Sequence, residues 1–284
     1  MNYWVVDYDE MNQLIAYGGF QRRYPHWRWG MTYDRQQKQD QFGMGKAFEI
    51  VNNDDPSHAF LQESNTLADQ KAVITHVEAH ADFFRNNEWF SRFSGDNDLD
   101  AAAMLERHAE TIQRYVDDSD IDREAVERFV DAVTCLEDTI DQHRPLSADP
   151  DTGRTQPEDL RERLDGMDLS AAVREAVFDD EWLDDLAEAE AAADLDHPRS
   201  DVLGFLREHA TVYDEEAGEA VEMESWQKDV LDLLRREAYY FAPQKMTKTM
   251  NEGWAAYWES LMMGEERFAG EDEFLTYADH QSRV

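Results

Sequence analysis

Sixty-four carboxylate side chains against 27 basic ones give this chain of 284 residues a formal charge of -37. Self-repulsion on that scale leaves two outcomes: a disordered acidic chain, or a fold that spreads its acid over the surface. Disorder does not fit, because 42% of the residues are hydrophobic and eight tryptophans need an interior. The expectation is a folded protein with an intensely acidic surface, of the kind found in the cytoplasm of extreme halophiles. Such a surface repels nucleic acid and anionic membranes, so neither is expected as a partner. No apolar run approaches the roughly 18 residues of a membrane span. The first residues, MNYWVVDYDE, lack the basic and apolar parts of a signal peptide, so a cytoplasmic location is expected. Cys135 is the sole cysteine, which excludes an intrachain disulfide and a cysteine-rich metal site. Its setting, FVDAVTCLEDTI, reads as that of a small core residue.

Along the chain, apolar periodicity and turn residues define an order of elements. YPHWRWG (24–30) gathers aromatic rings and an arginine around a proline. Two strand-like runs, AFEIV (47–51) and HAFLQE (58–63), flank NNDDPS, whose Asn, Asp and Pro predict a turn between adjacent strands. A helix is predicted over about 66–87, capped by Asn65 or Thr66 with Asp69 in its first turn. Residues 93–235 read as an acidic helical insertion, with a linker at LSADPDTGRTQPED (146–159) and a solvated helix at DDLAEAEAAADLDHP (184–198). From 226 a helical pattern runs to Pro243, and a further helix carries NEGWAAYWESLMM. The fold class expected is α+β, predominantly helical, with a small N-terminal β element before a helical core.

Within HVEAH (76–80), His76 and His80 are four residues apart, about 40° on one helical face, the spacing by which two imidazoles grip one metal ion. Packed or hydrogen-bonded histidines also occur at this separation. The metallopeptidase pattern places its general base directly after the first histidine, and here that position is Val77. Glu78 lies about 200° round the helix from His76 and points away. Hydrolysis would therefore need a carboxylate delivered from elsewhere in the fold.

In the second segment, Glu252 and Glu259 are seven residues apart on one face, with Ala255 and Ala256 leaving room for another helix or a ligand. Trp254, Tyr257 and Trp258 frame them, and the aromatic setting predicts a buried segment whose carboxylates need a metal, a base or a hydrogen-bond donor. Lys245 and Lys248 are competing partners. His26, Asn87, Tyr257 and Glu259 are candidates for the outer support of a metal held there. Arg28 is expected to stack on a tryptophan or clamp a carboxylate. GMGK (43–46) lacks the full phosphate-loop pattern, and His58, His108, His143, His197 and His209 read as structural or solvated.

NEGWAAYW together with HVEAH resembles the helices that carry the zinc ligands of the gluzincin aminopeptidases, which implies a zincin-like arrangement in which His76, His80 and Glu252 hold a divalent metal, zinc above all. A more extensive resemblance is to the SpoVR family, the stage V sporulation protein R-like proteins. It is carried by YPHWRWG (24–30), AFEIV with NDDPSHAFLQESNT (47–66), HADFFRNNEWF (80–90) and FAPQKMTKTMNEGWAAYW (241–258). The resemblance implies a cytoplasmic protein linked to spore cortex formation or to stress responses, acting alongside a serine kinase partner. It also implies that the chain is a piece of a longer protein, since relatives continue beyond FLTYADHQSRV. Alternatives of other classes are a non-catalytic interaction protein and a metallohydrolase with a relocated base.

Overall fold

The computed structural model describes residues 1–41, 49–93, 101–143, 201–214, 218–265 and 268–282. The phosphate-loop-like GMGK, the linker at 146–159 and the helix expected at 184–198 lie outside the described residues. The chain divides into two compact units: residues 1–137 with 223–284, and residues 138–222. The helices at 101–134, expected within the acidic insertion, belong to the first unit.

A three-stranded sheet begins the first unit, in the order β1 (Asn2–Val6), β3 (His58–Gln62), β2 (Glu49–Asn52). β1 runs parallel to β3 and β2 antiparallel to it, so the Asn-Asp-Pro segment forms the expected turn. Alternation along β3 assigns its two faces. Phe60 packs with Met11 and Leu14 of α1 (Tyr8–Ala16), whereas Ala59 and Leu61 pack with Val73 and Val77 of α3 (Leu67–Asn86). With both faces covered, β3 is buried along almost its whole length.

α3 starts where the sequence predicts. Thr66 caps it by accepting from the Asp69 N–H at 3.2 Å, and the Asp69 side chain accepts from the Thr66 N–H at 3.1 Å. This reciprocal pair satisfies two helix-end donors. α5 (Ala101–Asp117) and α6 (Arg123–Thr134) follow the predicted helical spacing, and the structure adds α2 (Trp27–Gln41) and α4 (Glu88–Phe93). Cys135, expected in the core, is instead exposed at the C-terminal cap of α6. The apolar side of that helix is carried by Val126, Val130 and Val133, and Cys135 falls beyond it.

The unit 138–222 contains α7 (Val202–His209), capped by Asp201, and a hairpin of β4 (Thr211–Asp214) and β5 (Glu219–Glu222).

The two helices expected on either side of Pro243 are a single one, α8 (Ser225–Ser260), 36 residues long. A proline inside a helix removes one N–H donor and costs about 3 kcal/mol. Burial of Ala242, Pro243 and Thr247 opposes that loss, and the Thr247 hydroxyl donates to the Pro243 carbonyl at 2.7 Å. A π-helical turn (Leu261–Glu265) then leads to α9 (Glu271–Gln281). α8 packs along α3, and this pairing positions the candidate site.

Candidate metal centre

On α8, residues Thr247, Asn251, Ala255 and Glu259 recur every four positions and are all buried. This stripe faces α3, and Ala255, with no exposed surface, lets the two backbones come close. Three of the four positions are polar: Thr247 is satisfied within its own helix, whereas Asn251 and Glu259 need partners across the helix contact. The histidines supply them. His76 Nδ1 donates to Glu259 Oε2 at 2.7 Å, and His80 Nδ1 donates to Asn251 Oδ1 at 2.9 Å.

Both imidazoles are thereby fixed with Nδ1 protonated and Nε2 turned to the same place. Their rings meet nearly edge to face, with centroids 4.6 Å apart. Glu252, at the flank of the buried stripe, closes the triangle: its Oε2 lies 3.9 Å from His76 Nε2 and 3.8 Å from His80 Nε2. One ligand atom from each of the three lies within 4.8 Å of the others. Separations of 3.8–3.9 Å are too long for hydrogen bonds. Two ligands of a tetrahedral zinc ion, with bonds near 2.0–2.1 Å, stand about 3.4 Å apart. The two histidine-to-carboxylate edges need to close by only a few tenths of an ångström to reach that spacing, and the widest edge of the triangle, within 4.8 Å, by up to about 1.4 Å. The donor set therefore fits a zinc-like ion, and a carboxylate or amide oxygen behind each metal-facing histidine is the usual support of such a shell.

Electrostatics separates the two histidines. Burial pulls the His76 imidazole down, but the Glu259 hydrogen bond and the charges of Glu49, Glu259 and Glu252 outweigh it, so His76 holds its proton above the ordinary 6.5. Burial dominates at His80, and despite the Asn251 hydrogen bond it stays below the ordinary value. Glu49, half-buried on β2, is pushed above the usual carboxylate range by burial and by the neighbouring charges of Glu252 and Glu259, against the pull of His76. Its place in that field is invisible to a reading by helix periodicity, because it is set by the edge strand of the sheet.

The other expected supports stand elsewhere. Asn87 caps the end of α3 and accepts from the Trp89 N–H at 2.9 Å; the partner of His80 is Asn251. His26 packs among Tyr24, Trp27 and Trp29, with Nε2 2.8 Å from Asp131. Tyr257 is 57% exposed and Trp254 is 38% exposed, so the aromatic frame lies on the surface rather than around the carboxylates. Trp254 Nε1 donates to Asp82 at 3.1 Å, and Tyr257 edges onto Trp258. Lys245 lies near Glu137 rather than Glu252. Glu78 accepts from the Tyr3 hydroxyl and, as its helical position predicts, is turned away from the histidines. Arg28 does both things foreseen for it, lying 4.9 Å over the Trp29 ring and pairing with Glu137.

The family model for SpoVR like proteins matches residues 1–284. This chain belongs to the SpoVR family. An uncharacterized SpoVR-family relative, YcgB of Escherichia coli (strain K12), is 28% identical over 269 residues, covering 91% of this chain and 48% of the relative. The chain thus spans about half the length of the curated relative it matches. No solved structure matches it. No helix among the described residues of this SpoVR-family chain is long and apolar enough to cross a membrane.

Proposed function

We propose that this SpoVR-family chain is a divalent-metal protein whose centre is His76, His80 and Glu252, with zinc the ion its donor set favours. The observation that carries the reading is the convergence of two Nε2 atoms and one carboxylate oxygen, each imidazole held from behind through Nδ1. Two histidines from α3 and a glutamate from α8 form a gluzincin-type ligand set. A bound ion of this kind supplies Lewis acidity to a water or carbonyl oxygen. The residues around it do the remaining work: Glu259 and Asn251 fix the rings, and half-exposed Glu252 leaves the cluster open on one side.

The raised His76 proton gives the reading a pH signature. Metal must displace that proton, so zinc affinity is expected to rise as pH climbs from 6.5 through the raised His76 value and to level off once His76 is neutral. The metal-free fold behaves in the opposite sense. A folded-state value above 6.5 contributes stability below 6.5, and that contribution is lost as pH rises through the raised value. Calorimetry of zinc binding in buffers of different ionisation enthalpy counts the protons released. Zinc binding with no proton release and a flat affinity across this range would contradict the assignment.

A metallohydrolase is the second reading, favoured by the position of Glu49. With Val77 in the place of the usual base and Glu78 turned away, Glu49 is a carboxylate beside the cluster that is not one of its three ligands. In this reading Glu49 takes the proton of the attacking water. Glu49→Gln is then expected to keep the metal while lowering turnover on peptide or cell-wall fragments by at least about a hundredfold.

A further inference from the structure

α9 packs on α3, yet none of its residues is buried. Polar contacts mark both of its ends. Lys71 Nζ of α3 pairs with Glu273 at 2.6 Å, and His280 Nδ1 meets Asp69 at 2.9 Å. At the last turn, Gln281 Nε2 donates to Glu259 Oε1 at 3.0 Å. Tyr277, one turn earlier, directs its hydroxyl at the same carboxylate, and burial together with that carboxylate pushes the phenol up to about 12.

Glu259 is therefore divided between two tasks. One oxygen accepts from His76 Nδ1 and the other is held by α9. The last torsion of a glutamate is broad and nearly two-fold, so a carboxylate anchored through one oxygen alone swings freely about that contact. Anchoring the second oxygen fixes its plane, and with it the plane of the His76 ring.

We propose that α9 is a positioning helix for the metal centre. In this arrangement Gln281 and Tyr277 lock the Glu259 carboxylate, so that His76 presents Nε2 toward His80 Nε2 and Glu252. This rests on the metal-centre reading and adds to it a dependence of metal affinity on residues outside the ligand set. An isolated helix of 11 residues is marginal in water, and the Lys71–Glu273 and Asp69–His280 contacts with α3 help to keep α9 formed.

The test measures Zn²⁺ affinity of the full chain by competition with a chromophoric chelator, and the visible spectrum of the Co²⁺-loaded chain. The double variant Gln281→Leu/Tyr277→Phe is expected to bind Zn²⁺ roughly tenfold more weakly, at the low end for outer supports of a metal ligand. Its Co²⁺ bands should shift, while the thermal midpoint of the metal-free protein stays at the wild-type value. Gln281→Lys, which restores a donor at that position, should return affinity to within about threefold of wild type. Wild-type affinity and an unchanged Co²⁺ spectrum in the double variant would overturn the role of α9 while leaving the metal centre standing. So would a Gln281→Lys chain no better than Gln281→Leu alone. A wild-type chain that binds neither ion defeats the centre itself, and the role of α9 with it.

Discussion

Glu252→Ala is expected to abolish metal retention: the unsubstituted chain, purified after zinc supply and desalted, should hold about one ion per chain and the variant none. The carboxylate is the only anionic ligand of the three, and without it two neutral imidazoles must hold a dication. Removing outer supports of metal ligands costs about 10- to 100-fold in affinity, so loss of a ligand itself should exceed a hundredfold. The substitution separates binding from folding. Glu252 has 54% of its side chain exposed and lies at the edge of the buried stripe, so the metal-free variant should melt where the metal-free parent does. His80→Ala makes a useful contrast, because it also leaves Asn251, a buried amide, without its partner. That variant should lose both metal and stability, the latter by about 1–3 kcal/mol. Elemental analysis of the zinc-supplied parent reporting no bound ion would end the metal reading.

The largest stability effect is expected far from HVEAH, at Glu237. This buried carboxylate of α8 pairs with Arg23 at 2.5 Å and accepts from His108 Nδ1 of α5 at 3.1 Å. The three side chains are between 5% and 6% exposed. The Arg23 guanidinium is further enclosed by the rings of Tyr24, Trp29 and Phe241, 4.8–5.6 Å away. Glu237→Ala strands that guanidinium in an aromatic interior, and breaking a buried pair from one side costs about 3–5 kcal/mol. For a chain of this size the thermal midpoint should fall by roughly 10 °C. Replacing both members together, Arg23→Met with Glu237→Leu, should be far milder, because no unpaired charge remains. Equal losses for the single and double variants in denaturant titrations would show that packing, not charge, holds this junction. The result also fixes what YPHWRWG does, since Arg23 and Trp29 tie this segment to α8.

Local signals were readable where neighbours in sequence are also neighbours in space. The cap of α3 needs only Thr66 and Asp69, three residues apart, and the β2–β3 turn needs only its Asn, Asp and Pro. The four-residue spacing of His76 and His80 places both on one face whatever that face meets. Glu78 is turned away by the same arithmetic. The signal failed where a residue's environment is made by a distant element. Pro243 reads as a stop, yet burial of its own turn carries α8 through it. Trp254 and Tyr257 read as an enclosing frame, but their chemical type does not say which side of α8 is covered, and the buried side is the one with alanine, asparagine and glutamate. Cys135 reads as core from its apolar neighbours and lies one step past the side they bury.

By itself, then, the sequence determined the class of fold, the start of the histidine helix and the shared face of His76 and His80, because periodicity and capping act over one or two turns. Glu252 joined them as a potential ligand through the likeness of its segment to a zinc-ligand helix. Only the tertiary structure decided that these ligands converge and what stands behind them. His76 and Glu259 are 183 residues apart, and His80 and Asn251 are 171 apart. Such partners are chosen by the close approach of α3 and α8 at Ala255, and by a C-terminal helix whose hold on Glu259 no local pattern encodes.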